Sequence, residues 1–205
     1  MLARLITLAA VLVAGSTPLL ADSFIPYSTP GSVAPTTVLY ANSSTISAYF
    51  YSSSAGGDDT ISVFDVTTGQ YLSPMNQLDN HSSTQSGIPF LFSGANIGDL
   101  IAFDLTNNSY LGGTILSSDP TRSADGDNHA YVTPFSGLID KADITGLYFG
   151  MEDLPQGVSD FDYNDDDFVV SGITAGPAVP EPGSFVLLAT GLLGAAGAMR
   201  RRFAR

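Results

Sequence analysis

Between residues 22 and 176 the hydrophobic positions fall in short runs, and the clearest of these have a period of two. Thr45–Tyr51 places Ile46, Ala48 and Phe50 on one side and Ser47, Tyr49 and Tyr51 on the other, the alternation of a half-buried strand. Thr60–Val66 follows across the polar turn Ser52–Asp59, and the pattern predicts a hairpin of these two strands. Further strands are expected at Thr37–Tyr40, Tyr71–Leu72, Ile88–Phe92, Leu100–Leu105, Tyr110–Leu116, His129–Phe135, Gly146–Met151 and Phe168–Gly172. Gly, Ser, Asn, Asp and Pro separate them, and residues 73–87 read as a long polar loop. Helical periodicity is scarce. The reading is all-β: an antiparallel β-sandwich of about eight or nine short strands, formed by one domain over residues 22–176.

Both ends break this pattern. Residues 1–21 carry Arg4, then the apolar run Leu5–Val13, then small residues, which is the layout of a secretory signal peptide cleaved after Ala21; a retained N-terminal anchor is the alternative. At the other end, residues 177–205 contain Pro180-Glu181-Pro182, an uncharged stretch over 184–199, and arginines at 200, 201, 202 and 205. As a helix, 184–199 would span roughly 24 Å, short of the roughly 30 Å hydrocarbon core, a mismatch that local thinning or snorkelling arginines absorb. The basic tail 200–205 belongs on the cytoplasmic side. The two prolines hold Glu181 in an extended segment, a shape a membrane protease can grip. This order resembles the PEP-CTERM sorting signal of Gram-negative bacteria. The resemblance implies that an exosortase-type membrane protease recognises Pro180, Glu181 and Pro182. It also implies a membrane-tethered precursor, then an exported protein associated with exopolysaccharide, biofilm or other surface proteins. An ordinary tail anchor is the plainer reading.

Charge sharpens the picture. Of twenty acids only Glu181 lies outside residues 22–176, and of seven bases only Arg122 and Lys141 lie inside. The domain therefore carries 19 acids against 2 bases, a net charge of −17. Such a field repels nucleic-acid phosphates and anionic lipid and attracts cations. With no cysteine, no disulfide offsets the self-repulsion, and a divalent metal is the candidate that does; simple solubility is the competing explanation.

The acids crowd most densely between Glu152 and Asp167. Asp160, Asp162 and Asn164 alternate with Phe161 and Tyr163. In an extended chain the three polar residues would share one side, offering the oxygens that Ca²⁺ takes, about 6–8 of them. Glu152 and Asp153, across the turn at Pro155 and Gly157, are placed to complete the shell. The segment is not an EF-hand, because Asp165 stands where the glycine belongs and Ser171 where the closing Glu belongs. A solvated acidic loop is the competing reading. Phe149-Gly-Met-Glu-Asp-Leu-Pro followed by Ser159-Asp-Phe-Asp-Tyr-Asn-Asp resembles domain of unknown function 4114, and Asp125-Gly-Asp-Asn-His129 is similar to an upstream element of that family. Met151 replaces the usual aromatic. The resemblance implies a shared role for Glu152, Asp153, Asp160, Asp162, Asn164 and Asp165, with Asp127 and His129 joining them, and calcium as the cofactor. For His129 a packed ring or charge partner is the alternative.

Catalytic grammar is lacking: there is no Ser-His-Asp order, nucleophile elbow, cysteine, HExxH or phosphate loop. A carboxylate-dependent glycan hydrolase, pairing Glu152 with Asp160 or Asp162, is the enzymatic alternative to a non-enzymatic, calcium-stabilised surface or matrix protein. Tyr49, Tyr51 and Tyr71 are candidate sugar-stacking residues, unless they serve cross-strand packing.

Overall fold

The computed structural model describes residues 25–176. The expected signal peptide, sorting motif, hydrophobic helix and basic tail lie outside these residues. Eleven strands form two antiparallel sheets. One sheet contains β1 (Leu39–Ala41), β3 (Asp59–Asp65), β4 (Gln70–Tyr71), β6 (Leu100–Asn107), β7 (Thr114–Ser117) and β11 (Ile173–Ala175). Its order is β11-β1-β6-β3-β4, with β1 and β7 sharing one edge of β6 at opposite ends. The other sheet runs β5 (Phe90–Ser93), β2 (Thr45–Ser52), β10 (Asp166–Ser171), β9 (Ala142–Met151) and β8 (Ala130–Ile139).

The alternating residues of both sheets meet in one core. Ile61, Val63, Ile101, Phe103 and Leu105 come from the first sheet; Ile46, Ala48, Phe50, Phe149, Phe168 and Val170 come from the second. Phe149 and Phe168 stack 5.1 Å apart, and Phe103 lies 4.6 Å from Phe149 across the interface. Rings so placed gain about 0.5–1.5 kcal/mol per pair beyond their burial. The all-β sandwich read from the sequence is the observed architecture.

Several details differ. β2 and β3 do not form a hairpin: β2 pairs with β5 and β10, and β3 with β4 and β6, in the opposite sheet. The intervening segment is held elsewhere, since Ser53 Oγ donates to the Asp165 carbonyl at 2.6 Å and the Ser54 amide to the Asn164 carbonyl at 3.0 Å. The strand expected at Phe168–Gly172 is β10, which starts two residues earlier and ends at Ser171. Gly172 has a φ of 88°, and there the chain leaves the second sheet as β10 and joins the first as β11. The β8–β9 hairpin runs ten residues on each side around Asp140 and Lys141, both at positive φ (42° and 72°). Two φ-positive central residues make the primed turn that suits hairpin twist. Its usual glycine is absent, so the sequence pattern undersized both strands. Within 73–87, Leu78 is completely buried in the core, so that stretch closes the sandwich as well as connecting strands.

Candidate metal centre

The antiparallel registers bring five strand ends to one end of the sandwich: Ser52 of β2, Asp59 of β3, Asn107 of β6, Met151 of β9 and Asp166 of β10. The segment joining β9 to β10 carries the acidic motif and folds over this end. It is not extended as the alternation suggested. Phe161 and Tyr163 both adopt left-handed backbone, with φ of 46° and 57°. Their side chains still share a side, packing with Tyr27, Ala34 and Tyr131. Tyr163 is fully buried; its hydroxyl donates to the Asn128 carbonyl at 3.0 Å and accepts the Ala34 amide at 2.7 Å. These anchors fix the loop and leave the carboxylates on its other side.

Two three-carboxylate groups result, Glu152–Asp153–Asp165 and Glu152–Asp160–Asp162. In each, one oxygen per residue lies within 4.8 Å of the others. Glu152 belongs to both. It is buried, its Oε2 has no hydrogen-bond partner, and its backbone is pinned by the Glu152 amide donating to the His129 carbonyl at 3.0 Å. The Asp153 amide donates to Asp165 Oδ2 at 3.0 Å, aligning one arm of the first group. Asn164 is bonded through its side chain to Asp162 and to Ser54, which holds it beside the second group. Asp160 is exposed and Asp162 and Asp165 are half-buried, which gives the site an open side.

Electrostatics at this end is one-signed. Burial, followed by the charge of Asp165, pushes the Glu152 carboxyl up to about 8. Burial raises Asp165 to about 7, with the charges of Asp153 and Asp162 adding to it against the Asp153 amide. Asp59 and Asp153 are both raised, by burial first. Asp162 is raised by burial and by Asp160. Among the described residues neither Arg122 nor Lys141 relieves this. Arg122 lies on the outer face of the six-stranded sheet, paired with Asp104 and stacked 3.3 Å over the Phe64 ring. Lys141 sits in the β8–β9 turn, the opposite end of that hairpin from Met151.

Asp127 and His129 fall outside both groups. His129 is buried; its Nδ1 faces the Glu152 carbonyl at 3.2 Å and its Nε2 faces Asp125 Oδ2 at 3.0 Å. Both nitrogens are thus committed, and the ring acts as a strut between β8 and the acidic loop. Burial alone would raise Asp125, but amide donors from Gln156 and Asp127 and the charge of His129 hold it below the usual range. Asp127 is half-buried, and its amide donates to Asp125 Oδ1 at 3.1 Å. The proposed sugar-stacking tyrosines are packed. Tyr71 lies edge-on to Phe64 and donates to Asp104 at 2.8 Å, while Tyr51 lies edge-on to Phe135 and Tyr148.

Sequence reasoning missed Asp59, Asp166 and Asp167, all fully buried. The signal was present. In Asp59-Thr-Ile-Ser-Val63 the acid has the parity of Ile61 and Val63, and in Asp166-Asp-Phe-Val-Val170 the first acid has the parity of Phe168 and Val170. An acid on the apolar side of a strand needs a partner.

Comparison with known families adds two findings. Residues 76–172 match a domain of unknown function (DUF4114), and residues 178–202 match the PEP-CTERM protein-sorting motif. The first match extends well upstream of the Asp125–Val170 motif region. No curated protein and no solved structure matches the chain.

Proposed function

We propose that this chain, which carries a DUF4114 domain and a PEP-CTERM sorting motif and is therefore an exported substrate of an exosortase, is a surface or matrix protein whose β-domain is held together by calcium. The observation that carries the reading is the pair of carboxylate groups sharing Glu152, with oxygens within 4.8 Å and no Lys or Arg paired with them among the described residues. Hard oxygen donors in this number, part buried and part open to water, suit Ca²⁺, which accepts carboxylates, carbonyls and water together. Glu152, Asp153, Asp160, Asp162 and Asp165 would hold the ion. Its charge would replace the protons that these acids otherwise need.

A binding role fits better than hydrolysis. Glycosidases keep their two carboxyls about 5–10 Å apart with room for a sugar between them, whereas here three crowd together and Glu152 and Asp153 are buried. Export to the surface supports a role in adhesion or association with polysaccharide, with the calcium-braced domain as a rigid module.

Thermal melts of the full-length chain in detergent, with calcium and with chelator, test the reading. At calcium a hundredfold above Kd the ion contributes about 2.7 kcal/mol, which for a domain of this size moves the midpoint by about 5–11 °C. Replacing Asp160 and Asp162 together with Ala should remove most of that difference. A midpoint indifferent to calcium would overturn it.

A further inference from the structure

Two acids that belong to neither carboxylate group lie buried at the same end of the sandwich, one in each sheet. Asp59 opens β3 in one sheet and Asp166 opens β10 in the other, both at the end closed by the acidic loop. Asp59 has the parity of Ile61 and Val63, and Asp166 that of Phe168 and Val170, all four in the central core. Each carboxylate therefore projects inward. Both residues are 0% exposed. Neither oxygen of Asp166 has a hydrogen-bond partner, nor does Oδ1 of Asp59.

The charged groups around these two acids are of one sign. Asn80, itself buried, accepts the Asp59 amide at 2.8 Å and reaches Asp59 Oδ2 at 3.4 Å, fixing that carboxylate while leaving Oδ1 open. The charges of Asp59, Asp79, Asp165 and Asp167 act on Asp166; those of Asp165, Asp58 and Asp79 act on Asp59, which also shares a side-chain hydrogen bond with Asp153 of the loop group. Every one is an acid. Carboxylates in an apolar interior must be protonated, paired or bound to metal, and water satisfies oxygens without supplying the missing charge.

We infer that Asp59 and Asp166 hold a second hard divalent cation inside the sandwich, bridging its two sheets beneath the loop site. Two carboxylates match the charge of such an ion, and backbone carbonyls and water complete its shell. The inference extends the calcium reading of the loop and rests on it only in that the same ion from solution serves both places. Its effect is different in kind. The loop ion closes one segment over the sandwich end, whereas the interior ion pins β3 to β10.

The experiment counts ions. Full-length chain in detergent is stripped with chelator, dialysed against calcium, and its bound metal measured by atomic emission. Asp166→Asn and Asp59→Asn keep shape and remove charge. Each should bind one equivalent of calcium fewer than the parent, whereas Asp160→Ala with Asp162→Ala should keep the equivalent that the Asn variants lose. With chelator present the Asn variants should melt above the parent, because a buried charge has gone, so a folded protein is there to be counted. If both Asn variants bind as much calcium as the parent, the interior site falls and the loop site stands. If no protein binds calcium, both fall.

Discussion

One hydroxyl governs the geometry of the acidic loop. Tyr163 bonds at once to the N-terminal arm at Ala34 and to the Asn128 carbonyl before β8, and its own left-handed backbone, like that of Phe161, costs on the order of 1–3 kcal/mol. The surrounding contacts must sustain that cost. Tyr163→Phe leaves a buried amide and a buried carbonyl without partners and should lower stability by about 1–3 kcal/mol, read from urea unfolding in calcium. Gly150 makes a sharper test. A Cβ there would lie 2.2 Å from the Tyr163 carbonyl oxygen, a collision with backbone that no rotamer relieves. Gly150→Ala should displace the loop and abolish most of the calcium-dependent rise in melting temperature, even though the residue ligates nothing.

At the scale of elements, the β9–β10 connection behaves as a proton store when no cation is present. Glu152 and Asp165 titrate near 8 and 7 in the folded chain, above the usual 4.5 and 3.8, so the native state binds protons more tightly than the unfolded one. The stability tied to these groups is complete below about pH 4 and is lost as pH rises through 7 and 8. In chelator the melting temperature should therefore fall steadily from pH 5 to pH 8.5. In saturating calcium that slope should flatten, because metal replaces the protons. A falling slope of equal size in both conditions would contradict the prediction. Much of this element was legible in the chain. The density of acids, the shared side of Phe161 and Tyr163, and the gathering of Glu152, Asp153, Asp160 and Asp162 all follow from residue order. What lay beyond it was long-range. The backbone reverses hand at 161 and 163 because tertiary contacts with Tyr27, Ala34 and Asn128 impose it. Nothing local in Ser52–Asp59 reveals that β2 and β3 part into different sheets. Asp59 escaped notice because it was read as the end of a polar turn, although its parity placed it on the apolar side of β3.

The whole molecule combines a heavily acidic sandwich with a chain end that sets its destination. The sorting motif at 178–202 gives a prediction independent of metal: changing Pro180, Glu181 and Pro182 together to Ala should leave unprocessed chain in the membrane fraction of the native host, while the melting behaviour of the domain stays unchanged. Export also gives the acids a purpose. Extracellular calcium modules work with dissociation constants of about 10⁻⁴–10⁻³ M, and a net charge of −17 over residues 22–176 keeps the domain soluble wherever that supply is low. The path from sandwich to sorting motif has a mechanical side. The tail leaves the domain through β11, an edge strand joined to β1 by three residue pairs, Leu39 with Ala175, Tyr40 with Thr174 and Ala41 with Ile173. Tension arriving from an anchored tail would first meet the Gly176 amide's bond to the Val38 carbonyl and then unzip these pairs singly, from Ala175 inward. It would then stall at Gly172, where the chain passes into β10, clamped on both sides by β2 and β9. The sandwich thus has a short sacrificial hem, and a tug on the surface would spend itself there before it reached the acidic end.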